Sequence, residues 1–300
     1  MNFSYFFGAR VCAFLHPCKS FLIFVFLLCF PALLFTQEDK TVLLAILARN
    51  KAHTLPYYLN CINNLDYNKK DISIYINTNN NIDATAKILD EWTSAHMAEY
   101  RSIDFVQEDY DILHQDISDP HDWSVLRWGV LAQIRNQSLQ YAKLRNCDYY
   151  FVVDCDNFID PQTLKILMQE NKPIIAPMLR SLTSNFDPYS NYFCAVNEWG
   201  YYAHHPFYYS ILNRQAIGSF EVPVVHCTYL IESSCIDNLT YIDGSRDMEF
   251  VIFSRSARNA NIPQFICNKI IFGSLLHILE PALTLEKEAA IVKEYLTLPE

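Results

Sequence analysis

Glycine is scarce. Six glycines in 300 residues, with no Gly-X-Y period and no repeat of fixed length, exclude collagen-like and solenoid architectures. No GxxxxGK[ST], GxGxxG, HExxH or GxSxG pattern occurs, which removes P-loop, dinucleotide-binding, zinc-protease and serine-hydrolase chemistries. The ten cysteines include no CxxC pair, so zinc-ribbon spacing is missing too. Seven of them lie beyond the N-terminal segment, an odd number that leaves at least one without an intrachain partner; most are expected as small core side chains. Basic runs are absent from the body of the chain, and the net charge is −10. A general nucleic-acid surface needs clustered Lys and Arg to displace counterions, so no nucleic-acid partner is expected.

What is present is ample apolar material, 51% of residues, enough for one large α/β core. The first 37 residues differ in kind. Phe21 to Phe35 is an apolar run preceded by Arg10, His16 and Lys19 and followed by the polar exit Thr36-Gln37-Glu38-Asp39. Basic flank, hydrophobic centre and polar exit predict a signal peptide or signal anchor over 1–37. The expected location is the secretory lumen or a membrane surface, with membrane association through this segment. Residues 38–300 are then expected to form a single domain.

Thr41 to Leu47 reads TVLLAIL, a continuous apolar strand of the kind buried on both faces of a parallel sheet. A helix is predicted next, with Thr54 as N-cap, Pro56 in its first turn and Leu55, Leu59 and Ile62 on one face. Ile72 to Ile76 gives a second strand, Asp83 caps a helix carrying Ile88, Leu89 and Trp92, and Ile103 to Val106 gives a third strand. Leu131, Ile134, Ser138 and Tyr141 mark a longer helix, which leads into the strand Tyr149 to Val153. Asp160-Pro161 is expected to start another helix, and Val222 to Ile231 is a further apolar stretch. Such alternation predicts a doubly wound, mostly parallel sheet flanked by helices.

Ligands of such sheets sit beyond the carboxyl ends of the strands. Three polar clusters fall there: Ala48-Arg49-Asn50, Asn77 to Asp83, and Asp154 to Asn157. In the last, Asp154 and Asp156 emerge together from a buried strand. Carboxylate oxygens are hard ligands suited to Mn²⁺ or Mg²⁺, and such an ion can neutralise a diphosphate leaving group. The acidic pair therefore points to a metal-dependent sugar transferase with a nucleotide-sugar donor.

Several segments together resemble the N-terminal domain of the procollagen galactosyltransferase and cerebral endothelial cell adhesion molecule family. They are TVLLAILARN at 41–50, LPYYLNCINNLDY at 55–67, TNNNID at 78–83, DYYFVVDCDNF at 148–158, NKPIIAPML at 171–179, YSNYFCA at 189–195, VPVVHCTYLI at 222–231 and ICNK at 266–269. The resemblance implies a GT-A fold, a UDP-sugar donor, Mn²⁺ dependence and inverting transfer of galactose or another hexose. Family enzymes are longer and carry a second transferase-like domain, so the acceptor stays open. Two positions depart from the family pattern: Met248-Glu249 stands where relatives place a paired acid, and Asn79 where they often carry an acid.

On this reading Asp156 binds the metal, and Asp154 contacts the donor ribose or a metal-bound water. His226, in VPVVH, is a candidate to complete the metal site or touch the acceptor. Arg49 is placed to pair with donor phosphate or ribose, with Asn50 and Asp83 as further nucleotide contacts. Trp123 and Arg127 are expected at the edge of the donor pocket. Inversion needs a base for the acceptor hydroxyl, and Glu249 or Asp247 is the choice. The expected acceptor is a hydroxyl on protein or glycan. The alternatives are a non-catalytic binding or adhesion module that kept the fold, and a membrane-associated transferase with a lipid-linked acceptor.

Overall fold

Val42–Ala48 (β1) buries six of its seven residues, as an interior parallel strand must. The computed structural model describes residues 40–111, 123–183, 188–277 and 284–298. The expected leader over 1–37 lies outside them. After β1 come Leu55–Asn63 (α1), Ile72–Thr78 (β2), Thr85–His96 (α2), Ser102–Gln107 (β3), Val125–Leu144 (α3) and Tyr149–Val153 (β4). The second half holds Asn157–Ile159 (β5), Thr163–Gln169 (α4), Ile174–Pro177 (β6), Arg180–Ser181 (β7), Tyr192–Phe193 (β8), Phe207–Leu212 (α5) and Ser219–Val222 (β9). Val224–Val225 (β10), Thr228–Glu232 (β11), Glu249–Asn259 (α6), Gln264–Cys267 (β12), Gly273–Leu275 (β13) and Leu285–Tyr295 (α7) complete it.

Eight strands form one sheet in the order β3-β2-β1-β4-β11-β6-β12-β9. β11 and β9 run against the other six, so the sheet is mostly parallel, as the alternation of elements predicts. Period-two alternation assigns the two faces. Val42, Leu44 and Ile46 pack with Tyr58 and Ile62 of α1, Leu89 of α2 and Leu164 of α4. Leu43 and Ala45 face Leu139 and Ala142 of α3, Ile211 of α5 and Phe253 of α6. Full burial of each such aliphatic side chain stabilises by about 1.5–3 kcal/mol. No helix among the described residues is long and apolar enough to cross a membrane. The seven cysteines among the described residues are all free thiols, three of them buried.

Local details differ from the sequence pattern. Thr54 stands at the N-cap of α1, but its hydroxyl donates to the Lys51 carbonyl and caps nothing. α4 begins at Thr163, because Asp160 uses its carboxylate to accept from Gln162 N (2.8 Å) and closes a turn first. Asp83 does accept from Thr85 N (2.9 Å) at the start of α2. The apolar stretch Val222 to Ile231 is three strands: Pro223 parts β9 from β10, and Cys227, at φ +63°, turns the chain from β10 into β11. That turn faces the C-terminal end of β4, since Thr228 pairs with Val153.

A small second sheet, β5-β13-β7, lies beside this end. Gly273 is its tightest point: at φ +122°, a Cβ there would lie 2.0 Å from the Phe158 carbonyl oxygen. Two residues beyond β13's Ser274, Leu276 N donates to the Asp156 carbonyl (2.9 Å), so this ladder also anchors the acidic pair.

Candidate active site

The parallel register carries the ends of β1, β2 and β4 to one rim, and a cleft opens there. It encloses about 700 Å³ of empty space, part of it open to solvent, and Arg49, Lys51, Asn79, Arg135, Asp154 and Asp156 are among its walls. Trp123 and Arg127, expected at the edge of a donor pocket, line it too, with the guanidinium carbon 4.1 Å from the Trp123 ring centroid. Asn50 and Asp83 do not line the cleft. Asn50 accepts from Ile82 N and donates its own N–H to Asn81 Oδ1, both at 2.9 Å, while Asp83 Oδ2 accepts from Ala52 N at 3.0 Å. Thr85 Oγ1 accepts from Lys51 N at 2.7 Å. These bonds clasp the loop after β1 to the loop after β2, and so hold the backbone that carries Arg49 and Lys51. The left-handed φ of Asn50, +55°, is one that Asn tolerates better than most residues.

The two acids leave β4 in different environments. Asp154 N donates to the Cys227 carbonyl (3.1 Å), and its Oδ1 accepts from Arg135 Nη2 (2.9 Å). Burial raises the Asp154 carboxyl above its usual range, and Arg135 works against that rise. Arg135, with 6% of its side chain exposed, also approaches Glu249 Oε1 with Nε at 3.7 Å. Its Nε and Nη1 have no hydrogen-bond partner. Asp156 instead holds Lys51, Nζ to Oδ2 2.7 Å, at the cleft wall.

Glu249 begins α6, where a carboxylate is favoured by the helix dipole, and it is 7% exposed. Burial pushes its carboxyl up, again opposed by Arg135. Asp247, two residues earlier, is paired with Arg255 and accepts from the Tyr201 hydroxyl (3.0 Å). The Arg255 bond holds its carboxyl below the usual range. His226 is buried among Phe193, Phe250 and Tyr189. Burial, with Arg135 and His277 adding to it, pushes its imidazole down to about 3, so it is neutral; Nε2 has no hydrogen-bond partner.

Asp154, Asp156, Arg49 and Arg127 therefore meet at one cleft, Glu249 joins Asp154 through Arg135, and Asp247 belongs to a separate network around Arg255. No group of three His, Cys, Asp or Glu side chains among the described residues is placed to hold a metal ion, so His226 is not gathered with the two acids into a cage. The donor set still fits Mn²⁺ or Mg²⁺. Such ions are often bound by one or two carboxylates plus substrate phosphates, and Asp156 supplies a hard oxygen ligand facing the cleft. Sequence reasoning passed over Lys51 and Arg135. Lys51 directly follows the Ala48-Arg49-Asn50 cluster, and Arg135 lies on the buried stripe of α3 with Ile134 and Ser138; a cation in an apolar stripe was the available signal.

Comparison with known proteins identifies the family and the fold. The model of the glycosyltransferase family 25 N-terminal domain matches residues 39–295. Human procollagen galactosyltransferase 2 is 35% identical over 259 residues, 84% of this chain and 41% of that protein. A Xenopus laevis relative, procollagen galactosyltransferase 1-A, is 35% identical over 79% of this chain and 40% of its own length. The mouse inactive glycosyltransferase 25 family member 3 is 32% identical over 83% and 43%. The chain thus spans about two fifths of the length of these relatives. Among solved structures, S. aureus TarS 1–349 with UDP-GlcNAc superposes at TM-score 0.52 with 12% identity, covering 81% of this chain and 60% of that one. A Pyrobaculum calidifontis mannosyltransferase with GDP-Man and Mn²⁺ gives 0.50 at 13% identity, covering 81% and 58%. At such identities these neighbours speak for the fold, which is GT-A.

Proposed function

Because the chain belongs to glycosyltransferase family 25, we propose that it moves a hexose, galactose by likeness to the procollagen galactosyltransferases, from a UDP-sugar to a hydroxyl on a protein or glycan. The observation that carries the reading is the cleft itself, where an acidic pair and four basic side chains converge on the rim of a GT-A sheet. A divalent cation held by Asp156, with Asp154 beside it, would neutralise the charge that builds on the departing diphosphate. The chain's own residues do the rest. Arg49 and Lys51 face the phosphates from the loop after β1, and the Trp123–Arg127 stack covers the donor's edge. Asp154, fixed by Arg135, orients the ribose or a metal-bound water.

Transfer with inversion needs a base on the acceptor side. Glu249 is the stronger choice over Asp247, since burial raises its proton affinity while Asp247 is committed to Arg255. His226, neutral and surrounded by aromatic rings, is assigned to the acceptor side, where its free Nε2 can meet a hydroxyl. The leader over 1–37 would place this chemistry in the secretory pathway or at a membrane.

UDP release tests the reading. A donor screen with and without Mn²⁺ should find Mn²⁺-dependent turnover that falls at least about a hundredfold in Asp156→Ala, the loss typical of one removed electrostatic stabiliser. Near-normal release by the variant would sink the assignment. A second reading, a binding module without turnover, is favoured by the relative named inactive. UDP and Mn²⁺ binding with no hydrolysis or transfer from any donor would select it.

A further inference from the structure

We propose that Lys51 is a resident counter-cation: it holds Asp156 while the cleft is empty, yields that carboxylate to the metal, and turns to the donor's phosphates. The inference rests on the reading of the cleft as a metal and diphosphate site. Lys51 Nζ lies 2.7 Å from Asp156 Oδ2, and both side chains are about a quarter exposed at the cleft wall. Its backbone is fixed by the bond from Lys51 N to Thr85 Oγ1, so the four-carbon stem can swing from a stationary base. Arg135 cannot do the same, because it is buried and shared between Asp154 and Glu249.

Charge counting favours an exchange. Asp154, Asp156 and Glu249 stand among Arg49, Lys51, Arg127 and Arg135, so a divalent ion entering alone must separate the Lys51–Asp156 pair and makes an already cationic cleft more positive by two charges. The diphosphate of a nucleotide-sugar brings about two negative charges, and that of UDP nearly three, which offset the charge of the ion. The freed ammonium then has phosphate oxygens within reach of the same wall. Metal and donor should therefore bind with positive coupling, and Lys51 should carry part of it.

Mn²⁺ binding to the full chain, followed by electron paramagnetic resonance of the free ion, tests this without turnover. Lys51→Met should bind Mn²⁺ about fivefold more tightly than the parent when no nucleotide is present, the scale of one partly exposed ion pair. With Mn²⁺ saturating, the same variant should bind UDP about fivefold more weakly, and Lys51→Arg should stay near the parent in both assays. Equal Mn²⁺ affinity in parent and Lys51→Met overturns the role of Lys51 and leaves the metal site standing. Mn²⁺ binding by neither protein overturns the metal reading and this proposal with it.

Discussion

Asp154 and Asp156 are separated by one residue and both line the cleft, yet one is held by a buried guanidinium and the other by a partly exposed ammonium. Asp154 shares a buried guanidinium with Glu249, a partner on a different helix, and burial lifts both carboxyls. Asp156 meets an ammonium at the end of a flexible, partly exposed stem. Two identical side chains thus differ by the cation each meets, one buried between two acids and one on a stem at the cleft wall. The proposed function uses both: rigid placement for the group that would orient the donor, and an open ligand for an ion that would arrive with substrate.

The contrast breaks most sharply at Arg135. Arg135→Met leaves Asp154 and Glu249 buried without their cation and should cost about 3–5 kcal/mol of stability. The pH dependence has a definite sign. Both carboxyls have folded pKa values above their unfolded ones, and the substitution raises them further. The stability they contribute when protonated is complete below the ordinary carboxylate range, and it fades as pH climbs through the raised values. The melting-temperature gap between parent and variant should therefore narrow from pH 8 to pH 5; a gap that stays constant would deny the shared guanidinium its role.

Next in size is Glu249→Gln. Removing a general base should lower kcat by about a hundredfold or more while the KM for donor moves less than about threefold. A base must be ionised to act, and burial raises this one, so the acidic limb of the parent's rate profile should lie above the usual glutamate range of about 4.3. A limb at or below that range would remove Glu249 from the role.

Smaller still is the loop clasp. Asp83→Ala loses the bonds to Ala52 N and Thr85 N and should cost about 1 kcal/mol of stability, with a weaker donor KM because the backbone carrying Arg49 loosens. Unchanged donor binding would separate the clasp from the site. The least effect is expected at Asp247→Asn, which should alter turnover less than about threefold and leave the pH profile in place. A profile shifted by Asp247→Asn would move the base to the Arg255 network.

Much of the scaffold was legible because burial leaves a pattern in one dimension. TVLLAIL reads as a strand covered on both faces, and in a strand Val42 and Leu43 must point to opposite cores. The acidic pair was legible for a related reason: polar residues directly after a buried strand must reach a rim. Pairings across sequence were not. Lys51 meets Asp156 from 105 residues away, and periodicity shows that Arg135 is buried but not which carboxylates it meets. Asn50 and Asp83 looked like ligand contacts for the same reason, since an Asn that clasps a loop and one that touches a nucleotide leave the same letter.

Gly273 shows how far such pairings reach. No side chain fits between β13 and Phe158, and the strand held there continues into the amide that grips the Asp156 carbonyl. Gly273→Ala would push β13 outward and carry that amide with it, tilting the Asp156 carboxylate without substituting any residue of the cleft wall. The aim of the Asp156 side chain is thus set, more than a hundred positions downstream, by a methyl group the chain does without.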